Sequence, residues 1–153
     1  MMSELVERQK NDLIRDITAL GSLFFYVMLV LLFLLFKNYD MLNKLIMGLV
    51  IIYPITIIFR TFLFKNRPKK IKYGSYIEKL DASSFPSLHA SRTAFMAAIL
   101  VKFFNNFIIS ILLIFLVLVI AYSRIYLKKH DFKDVAGGIV LGILAYFSTN
   151  FIY

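Results

Sequence analysis

The sequence predicts an all-α integral membrane protein, a bundle of about five transmembrane helices with an N-terminal amphipathic helix. Three observations carry this. Apolar residues make up 60% of the 153 positions and aromatic residues 16%, more than a soluble domain of this size could bury. They gather into five runs of about the ~20 residues that a helix needs to cross a hydrocarbon core. The charged residues fall mainly in the short stretches between those runs. The length fits one domain. Cys is absent, so there is no disulfide framework, no Cys-ligated zinc and no thiol nucleophile. The formal charge of +9 sits in short loops, where topology, anionic headgroups and phosphorylated substrates explain it better than nucleic acid.

Residues 1–18 mix both signs of charge with Leu5, Val6, Leu13, Ile14 and Ile17 at helical spacing. That pattern predicts an amphipathic helix on the membrane surface, running into the first span. A cleaved signal peptide fits poorly, because the preceding region is acidic as well as basic and no Ala-x-Ala site follows the apolar run. Residues 19–153 form the transmembrane domain. Its first span, 19–36, is uncharged and rich in Leu and Phe; a polar turn follows at 37–44. The second, 45–64, holds Pro54, which predicts a kink, and Arg60 in its last turn. The longest polar segment, 65–85, leads to the third span, 86–104, the least apolar because it carries His89 and Arg92. Asn105-Asn106 separates it from the fourth, 107–123. The fifth, 135–153, contains Gly138-x3-Gly142, a spacing that allows close helix packing.

Five spans alternate in direction. The end of the second, the start of the third, the end of the fourth and the start of the fifth therefore share one face of the membrane. Those four places hold Arg60 to Pro68, Pro86 to His89, and Ser123 to Asp134, including both histidines of the chain. His130 and Asp134 are four residues apart and share a face if the local chain is helical. The carboxylate could then hold one imidazole nitrogen as N–H and leave the other free to attack. Taken alone, the stretch reads equally as a basic loop between two membrane helices. Pro86-Ser87-Leu88-His89 reads as a helix start, with Pro at the first helical position and free N–H groups forming an anion site.

Ser123-Arg124, five residues, His130, three residues and Asp134 resembles the third signature of the type 2 phosphatidic acid phosphatase family of membrane lipid phosphatases. The two earlier signatures of that family, Lys-x6-Arg-Pro and Pro-Ser-Gly-His, have counterparts in order at Arg60 to Pro68 and Pro86 to His89. Two positions depart: Arg60 stands for Lys, and Leu88 for Gly. The resemblance implies that His130 is the nucleophile forming a phosphohistidine, that Asp134 orients it, and that His89 protonates the leaving oxygen and then activates water. It implies a phosphate cradle from Arg60, Arg67, Ser87, Leu88 and Arg124. Leu88 costs little if its φ is negative, and impairs the site if φ is positive. Arg92, one turn after His89, is expected to line the site with Asp81, Asp131 or the substrate as partner.

The function expected is hydrolysis of a phosphorylated or diphosphorylated lipid, either a polyprenyl diphosphate or a glycerophospholipid phosphate, without metal or other cofactor. A lipid phosphotransferase using the same intermediate is one alternative. A non-catalytic membrane protein that binds phospholipid headgroups is another. The expected partners are the lipid phosphate substrate and membrane lipids, in a multi-pass protein of the cell membrane. The motif-bearing face also holds most of the Lys and Arg residues, which leans it towards the cytoplasm.

Overall fold

The structure, a computed structural model, describes residues 2–152. Met1 and Tyr153, the outer ends of the expected N-terminal helix and fifth span, lie outside the described residues. Among those described, the chain forms seven helices: α1 (Met2–Ala19), α2 (Leu23–Leu35), α3 (Tyr39–Phe62), α4 (Tyr76–Ala82), α5 (Leu88–Phe104), α6 (Phe107–Tyr126) and α7 (Phe132–Ile152).

Helices α3, α6 and α7 are each long and apolar enough to cross a membrane; the 24 residues of α3 rise about 36 Å. Helices α1 and α2 form a bent pair, turning by 40° at the break between them. The uncharged run from residue 19 onward is thus not one helix. Ser22 caps α2, its hydroxyl accepting from the Phe25 amide at 3.2 Å. Gly21 is required at the break because it packs against Thr93, Ile120 and the ring of His89, leaving no room for a Cβ. The polar turn after α2 is shorter than the expected 37–44. Asn38 caps α3, so Asp40 and Lys44 already lie in the helix and pair at 2.8 Å.

Helix α5 is the centre of the bundle, and α7 is its closest neighbour. Gly138 and Gly142 face the backbone carbonyls of Ser87 and Ser91, where any Cβ would clash. The small-residue spacing read in the sequence is what lets the two helices meet. On the other side of α5, Phe95 packs over Gly48 of α3 and stacks on Tyr26 of α2 with ring centroids 6.3 Å apart. Tyr26 donates its hydroxyl proton to the Leu45 carbonyl at 2.7 Å, satisfying a phenol that is otherwise wholly buried. Phe24, Leu31, Ile58, Phe115 and Phe147 point outward on the surrounding helices, which suits a hydrocarbon surround.

This packing brings one end of each core helix together: the C-terminal ends of α3 and α6 and the N-terminal ends of α5 and α7. The segment 65–85 covers that end. It contains α4, which was not expected, although Ser75-x2-Glu78 is a capping box and its reciprocal bonds are present.

Candidate active site

Pro86 is not the first helical residue of α5. Ser87 is the N-cap and Leu88 starts the helix, so the expected Pro-first start is displaced by two positions. Leu88 is helical, and it is not among the non-glycine residues with positive φ, which are Lys37, Asn105 and Lys128. The backbone freedom of glycine is therefore not needed at this position. The Ser87 amide donates to the Asp134 carbonyl at 3.0 Å, tying the start of α5 to the start of α7.

His130 lies just before α7, not within it, and Asp131 and Asp134 cap that helix reciprocally. The Asp134 amide donates to Asp131 Oδ1 at 3.0 Å, and the Asp131 amide donates to Asp134 Oδ2 at 2.9 Å. This fixes the Asp134 carboxylate, which is fully buried, 3.8 Å from His130 Nδ1. That gap exceeds a hydrogen bond, and Nδ1 has no other partner. Lys65 fills the remaining side of the carboxylate, donating to Asp134 Oδ1 at 2.7 Å and to Asp131 Oδ2 at 2.6 Å. Burial alone would push the Lys65 ammonium down, but its bonds to Asp131 and Asp134 outweigh it and hold the group above the ordinary lysine value. Burial pushes His130 down, against the pull of Asp134 and with the help of Arg124 and Arg67. The imidazole is thus kept neutral, the form with a free lone pair.

A cavity of about 320 Å³ lies beside these groups. Arg60, Arg67, Leu88, His89, Arg92, Arg124 and His130 line it, with Asp81 and Lys129. Each arginine is anchored by some of its N–H groups. Arg60 donates to the carbonyls of Leu80 at 3.0 Å and Pro86 at 3.1 Å, Arg67 to the Asp81 carbonyl, and Arg124 to Thr18 Oγ1 at 3.2 Å. The buried Nε atoms of all three are without partners. Ser87 Oγ is also buried and unpartnered, although Ser87 is not part of the cavity lining. Uncompensated buried donors are costly, and three of them belong to arginines that line this one cavity.

The expected partners of Arg92 are corrected. It does not reach Asp81 or Asp131. Its Nε and Nη2 donate to the Gly21 carbonyl at 3.2 and 3.0 Å, and Nη1 donates to the Tyr53 hydroxyl at 2.7 Å. The break between α1 and α2 frees that carbonyl, which makes Arg92, on α5, a strut to the break and to α3. Arg92 Nη2 also lies 3.5 Å from His89 Nδ1. A guanidinium can only donate, so Nδ1 accepts and the proton of the neutral ring sits on Nε2.

Lys65, Thr18, Tyr53 and Arg15 were not foreseen as parts of this end of the bundle. The place of Lys65 follows from the structure. Asn66 bridges Ser83 in extended form, and on extended chain residues 65 and 67 share the face opposite 66. Thr18 and Arg15 follow helical spacing on α1. Among the described residues no group of three or more His, Asp or Glu side chains is placed to hold a metal ion.

The fold has solved counterparts. It matches LpxE of Aquifex aeolicus with a TM-score of 0.76 and 21% identity, over 95% of this chain and 87% of that one. It matches the first transmembrane PAP2 type phosphatidylglycerolphosphate phosphatase from Bacillus subtilis with a TM-score of 0.74 and 24% identity, over 94% and 76%. No curated protein sequence matches the chain. The family model of the PAP2 superfamily matches residues 61–152, a span that takes in Arg67, His89, Arg124, His130 and Asp134, and the chain belongs to that superfamily.

Proposed function

We propose that the protein is an integral-membrane phosphatase that hydrolyses a lipid phosphate or diphosphate through a phosphohistidine on His130. One observation carries this reading: Arg60, Arg67, Arg92 and Arg124 line one cavity together with both histidines. Such a cavity suits the equatorial oxygens of a transferring phosphoryl group. His130 Nε2 attacks phosphorus as the bond to the lipid oxygen breaks. Asp134, on the Nδ1 side, orients the ring and stabilises the imidazolium that forms. His89 enters this step as the imidazolium, its charge balanced by the substrate phosphate. It gives its Nε2 proton to the departing oxygen, and the neutral ring that remains takes a proton from the water that cleaves the P–N bond and releases inorganic phosphate. The substrate classes that fit are polyprenyl diphosphates and glycerophospholipid phosphates; the relative from Bacillus subtilis is by its title a phosphatidylglycerolphosphate phosphatase.

Because arginine and histidine side chains meet every charge and proton requirement of this scheme, phosphate release by the purified protein should persist in EDTA. Vanadate should inhibit it, since its five-coordinate form resembles the transition state. Activity abolished by EDTA and restored by magnesium would overturn the scheme. An added alcohol that diverts the phosphoryl group from water would indicate a phosphotransferase instead.

On the same reading the site faces the cytoplasm, because the loops at this end carry the larger share of Lys and Arg. The chain has no Cys, so Lys72→Cys supplies a single thiol in the exposed loop before α4. It should react with an impermeant maleimide in inside-out vesicles and not in right-side-out ones. The reverse pattern would turn the topology over.

A further inference from the structure

A second cavity of about 560 Å³ adjoins the first. Both are lined by Arg67, His89, Arg124 and Lys129. The second alone adds Arg15, Lys69, Lys70 and Lys128, and no carboxylate is among its described lining residues. Its walls are tied together. The Lys69 amide donates to the Lys128 carbonyl at 3.1 Å, joining the two basic loops. The bond from Arg124 to Thr18, with Lys10 5.0 Å above the ring of Tyr126, holds α1 against α6 as the third wall. Partial burial, then the nearness of Arg124, Arg67 and Arg15, pushes the Lys129 ammonium down. A bound anion would relieve that crowding.

The place of this cavity in the reaction follows from which histidine it contains. His130 lines the first cavity only, while His89 lines both. In-line displacement sends the leaving group to the side opposite the nucleophile, and that is the side of His89. One phosphoryl group in the first cavity does not need Arg15, Lys69, Lys70 or Lys128. We propose that the second cavity is an anion subsite for the leaving group, so that the preferred substrates carry a further phosphate close to the scissile one. A lipid diphosphate, or a phosphorylated headgroup joined through a phosphodiester, has that chemistry. Attack on the terminal phosphorus of a diphosphate then breaks the bond to the bridging oxygen, and the lipid monophosphate departs with its charge held by the lysines. The substrate assignment rests on the phosphatase reading; the anion subsite itself does not.

The test uses the full chain in neutral detergent and separates the two. Calorimetry compares methylenediphosphonate with inorganic phosphate, and turnover compares a mono- and a diphosphate of one lipid. The diphosphonate should bind on the order of tenfold more tightly than phosphate, as one or two added charge-assisted bonds allow. Lys70→Gln combined with Lys128→Gln should remove most of that preference and lower the diphosphate-to-monophosphate ratio of kcat/KM by a similar factor. Equal affinities in the wild type, or a preference that survives the double substitution, would overturn the subsite. So would loss of the preference on adding phosphatidylglycerol, which would mean that a neighbouring membrane headgroup occupies the cavity. Tight diphosphonate binding without hydrolysis of either lipid would keep the subsite and sink the phosphatase reading.

Discussion

His130→Ala is expected to abolish turnover of every substrate, and His89→Ala to fail in a different way. Removing His130 removes the atom that accepts the phosphoryl group, so no covalent intermediate can form. Removing His89 keeps the nucleophile but leaves the departing lipid oxygen without a proton, a loss of roughly 10²–10⁴-fold by the usual worth of general acid catalysis. An aryl phosphate leaves readily without protonation, so it should recover part of that loss. With no base for the attacking water, phosphohistidine should then accumulate in His89→Ala. The measurement is acid-labile phosphate held on the protein after an aryl phosphate pulse: raised in His89→Ala, absent in His130→Ala. Label retained in His130→Ala, or lost equally from both, would sink the assignment of roles. Because burial holds the His130 imidazole below its ordinary range, label formation should fall only as the pH drops through that lowered value.

The meeting of the three motifs was legible before any coordinates, because alternation of spans needs only a correct count of crossings. Among the described residues three helices, or four with the bent pair α1–α2, are long and apolar enough to cross, and α5, of 17 residues, is not among them; the motifs meet all the same. Hydropathy cannot see the break at Leu20–Ser22, since all three residues are uncharged and the apolar run continues past them. The break matters because it frees the Gly21 carbonyl for Arg92. That contact joins residues 71 positions apart, which no local pattern encodes, and it is why Arg92 pairs with neither Asp81 nor Asp131 although it lines the cavity as expected. His130 and Asp134 share a face only if the local chain is helical, yet His130 precedes the helix. The two side chains still approach because Asp131 and Asp134 cap α7 reciprocally, and that Asp-x-x-Asp pattern could have been read. Leu88 could not be judged from sequence, because its φ depends on where α5 begins. The start of α5 is set by its bond to α7.

Asp134→Asn is the substitution that tests how the nucleophile is held, and it should cost kcat about 10³–10⁴-fold with the fold retained, a loss of the size seen when a triad aspartate becomes asparagine. Three groups crowd this carboxylate: the Lys65 ammonium, the Asp131 amide, and the His130 ring 3.8 Å away. The first two can only donate. An asparagine side chain has one acceptor oxygen, which lies most favourably towards Lys65 or the Asp131 amide. Its NH₂ then turns towards another of the three. Facing His130, it donates to Nδ1 and moves the ring proton to Nε2, the atom that must attack. Facing Lys65 or the Asp131 amide, it sets donor against donor, and the helix start loosens instead. Either way the developing imidazolium loses the adjacent negative charge. The fold should survive, because Lys65 keeps its bond to Asp131 and the amide replaces the carboxylate at equal volume. The readout is therefore kinetic. The rate of phosphohistidine formation should collapse even with an aryl phosphate, in contrast to His89→Ala, while inorganic phosphate still binds through the arginines. A kcat within tenfold of the wild type would show that the position of the ring is set by burial alone and that Asp134 serves only to cap α7.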